Sequence, residues 1–259
     1  MYNLKFFIKN KVLQNRKEVC MKKILAFTLA ETLIVMGIIG VVAALTLPNL
    51  NSSTGDKEKV AKLQKIYSNL SDAVGRTQAV YGPRTGWTNK SFADRMEDFL
   101  KISKKCTGPR TDNCFTKTEK CLSGTDCKRG ITEDCWSYDN GSYILADGTS
   151  IFVFGGCSSG YSPLGIGVFV DIDGPRKGSN TWGKDLFAFQ IPADSTELIT
   201  DEVSFRSVST DTDLKNNCFI SGASCATWVI QNGNMDYLKA TNGTCSNGTV
   251  LSWSNTTCK

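Results

Sequence analysis

Histidine is absent from the 259 residues. That removes the commonest general base and the commonest metal ligand, so His-based hydrolytic triads and His-containing zinc sites are excluded. Across residues 106–135, which hold five cysteines, no two show the Cys-x-x-Cys spacing of a zinc ribbon or a redox motif. No constellation of carboxylates or of Ser and Lys takes the place of the missing histidines, and the chain is read as a non-enzyme. Beyond residue 26 there is also almost no net charge. Residues 1–26 hold Lys5, Lys9, Lys11, Arg16, Lys17, Lys22 and Lys23 against Glu18, a net of +6 out of a total of +5, which leaves about −1 for the rest. Direct binding to nucleic acid therefore has no electrostatic support.

What is present is an apolar run. Residues 27–47 read FTLAETLIVMGIIGVVAALTL, apolar throughout apart from Glu31 and scattered threonines. At ~1.5 Å per residue such a run covers about 30 Å, the thickness of a bilayer hydrocarbon core. Lys22 and Lys23 precede it, while Asp56, Lys57, Glu58 and Lys59 follow it. This flank pattern predicts a cytoplasmic N-terminus and an exported remainder. A carboxylate inside the run costs on the order of 3 kcal/mol unless it finds a partner, which makes Glu31 the most informative residue of the segment.

The stretch KKILA/FTLAETLIVMGIIGVVAALTLP resembles the prepilin-type cleavage and methylation motif of type IV pilins and of type II secretion pseudopilins. In that family a basic leader ends in Gly, or less often Ala, followed by Phe-Thr-Leu and by a Glu four residues beyond the Phe. Ala26, Phe27, Thr28, Leu29 and Glu31 occupy those places. The resemblance implies that a prepilin peptidase cuts after Ala26 and that Phe27 is then N-methylated. It also implies that Glu31 pairs with the terminal amine of a neighbouring subunit, the kind of partner that makes a buried carboxylate tolerable. Gly37, Gly40 and Pro48 follow in the order seen in many pilins. The glycines and the proline lower helix propensity, so the segment can bend or partly unwind, and Gly40 with Ala44 permits close helix contact. The residue before the cut is Ala rather than the usual Gly, and initiation at Met21 would give the compact leader MKKILA. An ordinary secretory signal with a cleavage site at Val42-Ala43-Ala44 is the competing reading.

Past residues 49–55, which read as a breaker, Val60, Leu63, Tyr67, Leu70, Val74, Thr77 and Tyr81 recur at spacings of three and four and predict an amphipathic helix ended by Gly82-Pro83. Residues 91–102 read as a short helix with Phe92, Met96, Phe99 and Leu100 inward. Strands are expected on both sides of Asp147-Gly148, over 165–173 and over 185–191. Short strands are expected over 225–231 and 249–253. Ten cysteines lie beyond the apolar run: Cys106, Cys114, Cys121, Cys127, Cys135, Cys157, Cys218, Cys225, Cys245 and Cys258. An even number on one side of a hydrophobic segment predicts five disulfides in an oxidising compartment.

The resulting expectation is an α+β fold in which a long N-terminal helix, transmembrane and then amphipathic, packs on an antiparallel β-sheet head with disulfide-tied loops. Residues 1–26 are a cytoplasmic leader, 27–48 the transmembrane and assembly helix, 56–82 the amphipathic upper helix, and 83–259 a periplasmic or extracellular Cys-rich head. The segment DIDGPRKGSNTWGKD resembles a loop of pilin-like heads, with Asp171, Asp173, Gly174, Asn180, Gly183, Asp185 and Phe187 in comparable places. Oxygen ligands at Asp171, Asp173 and Asp185 could hold Ca²⁺, as pseudopilins do in a nearby loop. The alternative is an Asx-turn and a Gly turn that close a hairpin. No other cofactor is required.

The function implied is that of a filament subunit, a minor pilin or pseudopilin, of a type IV pilus, a type II secretion system or a related filament. Its partners would be the prepilin peptidase, other pilin subunits, the assembly platform and the membrane. It would begin in the bacterial inner membrane and end in a filament or fimbrium at the cell surface. The alternative function is a membrane-anchored or secreted disulfide-rich binding or adhesion protein.

Overall fold

In the computed structural model the described residues are 28–82, 89–107, 114–115, 119–125, 141–154, 166–175, 180–191 and 209–258, with the side chains of 43–54, 89–90 and 154 excepted. The chain divides into two compact units, residues 1–50 and 51–259.

Helix α1 (Leu29–Tyr81) is continuous over 53 residues. The break expected around Pro48 and residues 49–55 is absent. The physical reason is cooperativity: one proline costs about 3 kcal/mol and polar residues a few tenths each, whereas a helix already formed on both sides propagates through a weak stretch. The expected transmembrane character is corrected as well. Among the described residues no helix is long and apolar enough to cross a membrane. The fold shown is therefore a mixed one, a helix and short helices with an antiparallel sheet and disulfides, without a membrane-spanning helix in the described part.

Within the second unit, α1 buries Val60, Leu63, Ile66, Leu70, Ala73, Val74 and Thr77. These recur at three and four and so form one stripe. Tyr67 is only partly covered, and its ring lies 5.8 Å from that of Phe189. Tyr81, the last residue of the predicted stripe, is exposed and donates its hydroxyl to Asp98. The helix stops there because Gly82 takes φ +85° and returns its N–H to the carbonyl of Gln78, a left-handed cap for which glycine has no steric cost.

Helix α2 (Asn89–Met96) and a three-ten turn (Glu97–Phe99) follow, with Phe92 and Met96 fully buried. The chain then enters strand β1 (Ile102–Cys106), followed by β2 (Glu119–Lys120), β3 (Ser142–Leu145), β4 (Ser150–Phe154), β5 (Ile166–Asp171), β6 (Asn180–Thr181) and β7 (Leu186–Ile191). The main sheet has the order β1-β3-β4-β5-β7, every neighbour antiparallel. The β3–β4 hairpin turns at Asp147-Gly148, where Asp147 accepts the N–H of Thr149 and Gly148 takes φ +84°.

Period-two alternation separates the two faces of the sheet. Ile151, Val153, Val168, Val170, Phe187 and Phe189 join the α1 stripe in one core cluster, and Phe152, Phe169, Leu186 and Ala188 meet Phe115, Trp182 and Ala223 on the other face. Burying each Phe, Leu or Ile contributes roughly 1.5–3 kcal/mol, so both layers hold the sheet.

The C-terminal part departs from expectation. Residues 225–231, read as a strand, belong to a helix, and residues 249–253 make isolated bridges at Val250 and Ser252 only. A helical turn α3 (Asp211–Leu214) is capped by Thr210, whose hydroxyl accepts the N–H of Asp213, and it runs on into a π-helical segment (Lys215–Ile220). Helix α4 (Cys225–Asn232) buries Cys225, Ala226, Trp228 and Val229 and ends at Gly233 with φ 64°. The β-branched residues of CATWVIQN favour a strand, but the spacing of the buried positions and the Asn-Gly stop favour the helix, and packing decides. Trp228 lies against Phe219 at 5.2 Å and Trp253 at 5.5 Å between ring centroids. A short hairpin of β8 (Ala240–Thr241) and β9 (Thr244–Cys245) follows.

Candidate functional site

Ala26 and Phe27, the predicted processing residues, lie outside the described residues. The first described residue, Thr28, opens α1 as its cap. Its hydroxyl accepts the N–H of Glu31 at 3.2 Å. In return the Glu31 Oε2 accepts the backbone N–H of Thr28 at 2.8 Å and its hydroxyl at 2.9 Å. This reciprocal arrangement is a capping box, and it satisfies donors that the first helical turn would otherwise leave unpaired. Thr-Leu-Ala-Glu carries that signal openly, since Thr followed three residues later by Glu before an apolar run marks a helix start. Sequence reading assigned Glu31 to assembly alone and missed this local role.

The carboxylate is not used up by the cap. Its Oε1 has no partner among the described residues, and the Glu31 side chain is exposed. Around it Leu29 is 80% exposed, Met36 71% and Val42 54%, and Leu33, Ile34, Ile38, Ile39 and Val41 are likewise uncovered. An apolar surface on every side of a helix requires cover from outside this unit. Gly37 and Gly40 are helical, and a Cβ added at either would meet nothing within 4 Å. They therefore leave space on the helix surface that another helix backbone could approach. Pro48 lies in α1, and its side chain is outside the described residues.

The Asp171 segment takes the form of a turn. Asp171 Oδ1 accepts the N–H groups of Asp173 at 3.1 Å and Gly174 at 2.9 Å, and its Oδ2 accepts the Asn180 amide at 2.9 Å. Asp185 accepts the N–H of Thr181, and Asp173 forms an ion pair with Lys59 at 3.7 Å. These are the contacts of an Asx-turn joined to a glycine turn, with Gly174 at φ +74° and Gly183 at φ +78°. Among the described residues no group of three or more His, Cys, Asp or Glu side chains is placed to hold a metal ion. Asp171, Asp173 and Asp185 are instead held by separate partners. Burial is the main cause that pushes the Asp171 carboxyl up to about 6, with Asp185 adding to it and the Asn180 amide and the two N–H groups opposing it. Burial also raises Asp185 above the usual carboxylate range, against the Thr181 N–H and Lys59.

Three disulfides are described: Cys106–Cys114, Cys218–Cys225 and Cys245–Cys258. Cys121 is also disulfide-bonded. Cys127, Cys135 and Cys157 lie outside the described residues. The Cys218–Cys225 bond joins the π-helical segment to α4, and Cys245–Cys258 ties the last residues to β9. Tyr237 donates its hydroxyl to the carbonyl of Gly183 at 2.6 Å, which fastens the C-terminal part to the turn before β7.

No protein-family model matches the chain, and neither a curated protein nor a solved structure is similar to it.

Proposed function

We propose that this chain is a pilin-like filament subunit, a minor pilin or a secretion pseudopilin, matured by a prepilin peptidase at Ala26/Phe27 and polymerised through its N-terminal helix. The observation that carries the proposal is the start of α1, where a carboxylate with an unengaged oxygen stands beside apolar side chains that nothing in the described structure covers. Identical helices packed side by side would cover that surface, and the terminal amine of a neighbouring Phe27 would give Glu31 an opposite charge. The precursor would shelter the same surface at the inner membrane, and its head would mature in an oxidising compartment. The disulfides support that last step, because such bonds persist where thiols are not kept reduced.

The capping box sets a condition on this mechanism. Glu31 must keep its intrachain bonds to Thr28 through one oxygen while the other receives the neighbouring amine. Glu31→Ala removes both and is expected to leave insertion and cleavage in place while abolishing or slowing filament formation. Fibre yield after shearing is the readout, and normal yield from the variant would refute the pairing role. Thr28→Val separates the two effects: it weakens the cap by about 1 kcal/mol but keeps the carboxylate, so its filaments should still form.

A further inference from the structure

A cavity of about 580 Å³ opens in the second unit, between α1, residues 99–101 and the β3–β4 turn. Its helical wall is Lys65, Asn69, Asp72 and Arg76, at successive spacings of four, three and four and therefore on one face of α1. The opposite wall is Lys101 and Asp147, and Phe99, Leu100 and Leu145 supply apolar surface between them. The two segments of that wall are clamped together, with the Ala146 N–H donating to the Lys101 carbonyl at 2.8 Å and the Ser103 hydroxyl reaching the Ile144 carbonyl at 2.9 Å. The site thus stands on paired backbone, and its volume falls in the range of small-molecule sites.

The polar groups around it are only partly engaged. Arg76 meets Asp72 through Nε at 2.9 Å, which leaves both terminal guanidinium nitrogens without a partner among the described residues. Lys65 is 3.9 Å from Asp147, an exposed pair that is easily redirected to another anion. The side chains of Asn69 and Lys101 make no hydrogen bond or ion pair among the described residues. Three cations, one amide and two carboxylates therefore surround an apolar floor.

We propose that this cavity binds an acidic saccharide, one or two sugar rings bearing a carboxylate or a sulfate. The cations select the acid group, and a guanidinium with free terminal nitrogens holds a planar or tetrahedral oxyanion by paired donors. The carboxylates exclude a ligand that is anionic along its whole length, such as polyphosphate or nucleic acid, but they are apt acceptors for sugar hydroxyls. The apolar floor suits the C–H face of a sugar ring. An acidic peptide would satisfy the cations but would bring no hydroxyl row to Asp72 and Asp147.

The test is titration of the full, disulfide-intact chain by calorimetry with digalacturonate, a sulfated disaccharide, neutral cellobiose and triaspartate. The first two arms distinguish a carboxylate from a sulfate source. Binding of either acidic disaccharide, with no heat from cellobiose, supports the site. Arg76→Ala combined with Lys101→Ala should weaken that binding by about tenfold or more at an unchanged melting midpoint. Lys101→Glu, a single exposed reversal, should remove the preference for acidic over neutral sugar. The proposal is overturned by equal binding of cellobiose, by triaspartate binding as well as the disaccharides, by binding that the variants leave unchanged, or by no binding up to on the order of 10 mM.

Discussion

Protonation of Asp171 should make the head more stable in mild acid, opposite to the behaviour of most paired carboxylates. The carboxyl is fully buried at the end of β5 and titrates at about 6 in the folded chain, against 3.8 for an ordinary aspartate. Between those two values the folded state holds a proton that the unfolded state has released. Stability from this group is therefore fully present below about pH 4, falls as pH rises from 4 to 6, and is flat above. Each pH unit of difference is worth about 1.4 kcal/mol, so the change is on the order of 3 kcal/mol. Asp185, raised in the same direction, adds to it. With a urea slope of about 2–3 kcal/mol per molar, the midpoint should move by roughly 1 M. Asp171→Asn keeps an oxygen for the Asp173 and Gly174 N–H groups and removes the titration, so its urea midpoint should vary much less between pH 4 and 7. Tryptophan fluorescence with disulfides intact is the assay. Parallel profiles for the two proteins, or a wild-type midpoint that rises with pH across this window, would refute the reasoning.

Replacing both Cys245 and Cys258 by Ser opens a 13-residue separation and should cost about 3 kcal/mol in urea unfolding, and protease nicking after Tyr237 should accelerate. Gly222→Ala should destabilise far more than Gly124→Ala, although both glycines have φ above +80°. A Cβ at 222 runs into the carbonyl of Trp182, while one at 124 meets nothing within 4 Å. The control carries only the backbone penalty of about 1–2 kcal/mol, and equal losses in thermal melts would count against the close approach of these two loops.

Much of the sheet was legible because its strands are short, β-branched and bounded by turn residues. Asp147-Gly148 marked the hairpin, and GVFVD and LFAFQ supplied an interior strand and the edge strand beside it. β1 was hidden because Ser103, Lys104 and Lys105 make it polar, which is how an edge strand is protected from pairing with another chain. The α1 stripe was visible in its period, yet Pro48 and the polar residues after it read as a break, since single-residue propensities do not register helix cooperativity. The membrane-spanning reading rested on the length of an apolar run, and among the described residues no helix is both long and apolar enough to cross a membrane. Helix α4 was obscured by its β-branched composition. At the site, Glu31 stood out as a charge in apolar surroundings, but its bonds to Thr28 required recognising the Thr-x-x-Glu spacing. For the carboxylates of 171, 173 and 185, sequence gives oxygen count but not direction, and it left a cation site and an Asx-turn with a glycine turn both open. In the fold their oxygens face backbone N–H groups, Asn180 and Lys59.

Assembly through the N-terminal helix requires a mature chain that begins at Phe27. Intact-mass and N-terminal fragment analysis of the protein recovered from assembled filaments or from the membrane should give a chain that starts at Phe27 with one added methyl group. A chain that starts at Leu45, or one that retains Met1 or Met21, would contradict it.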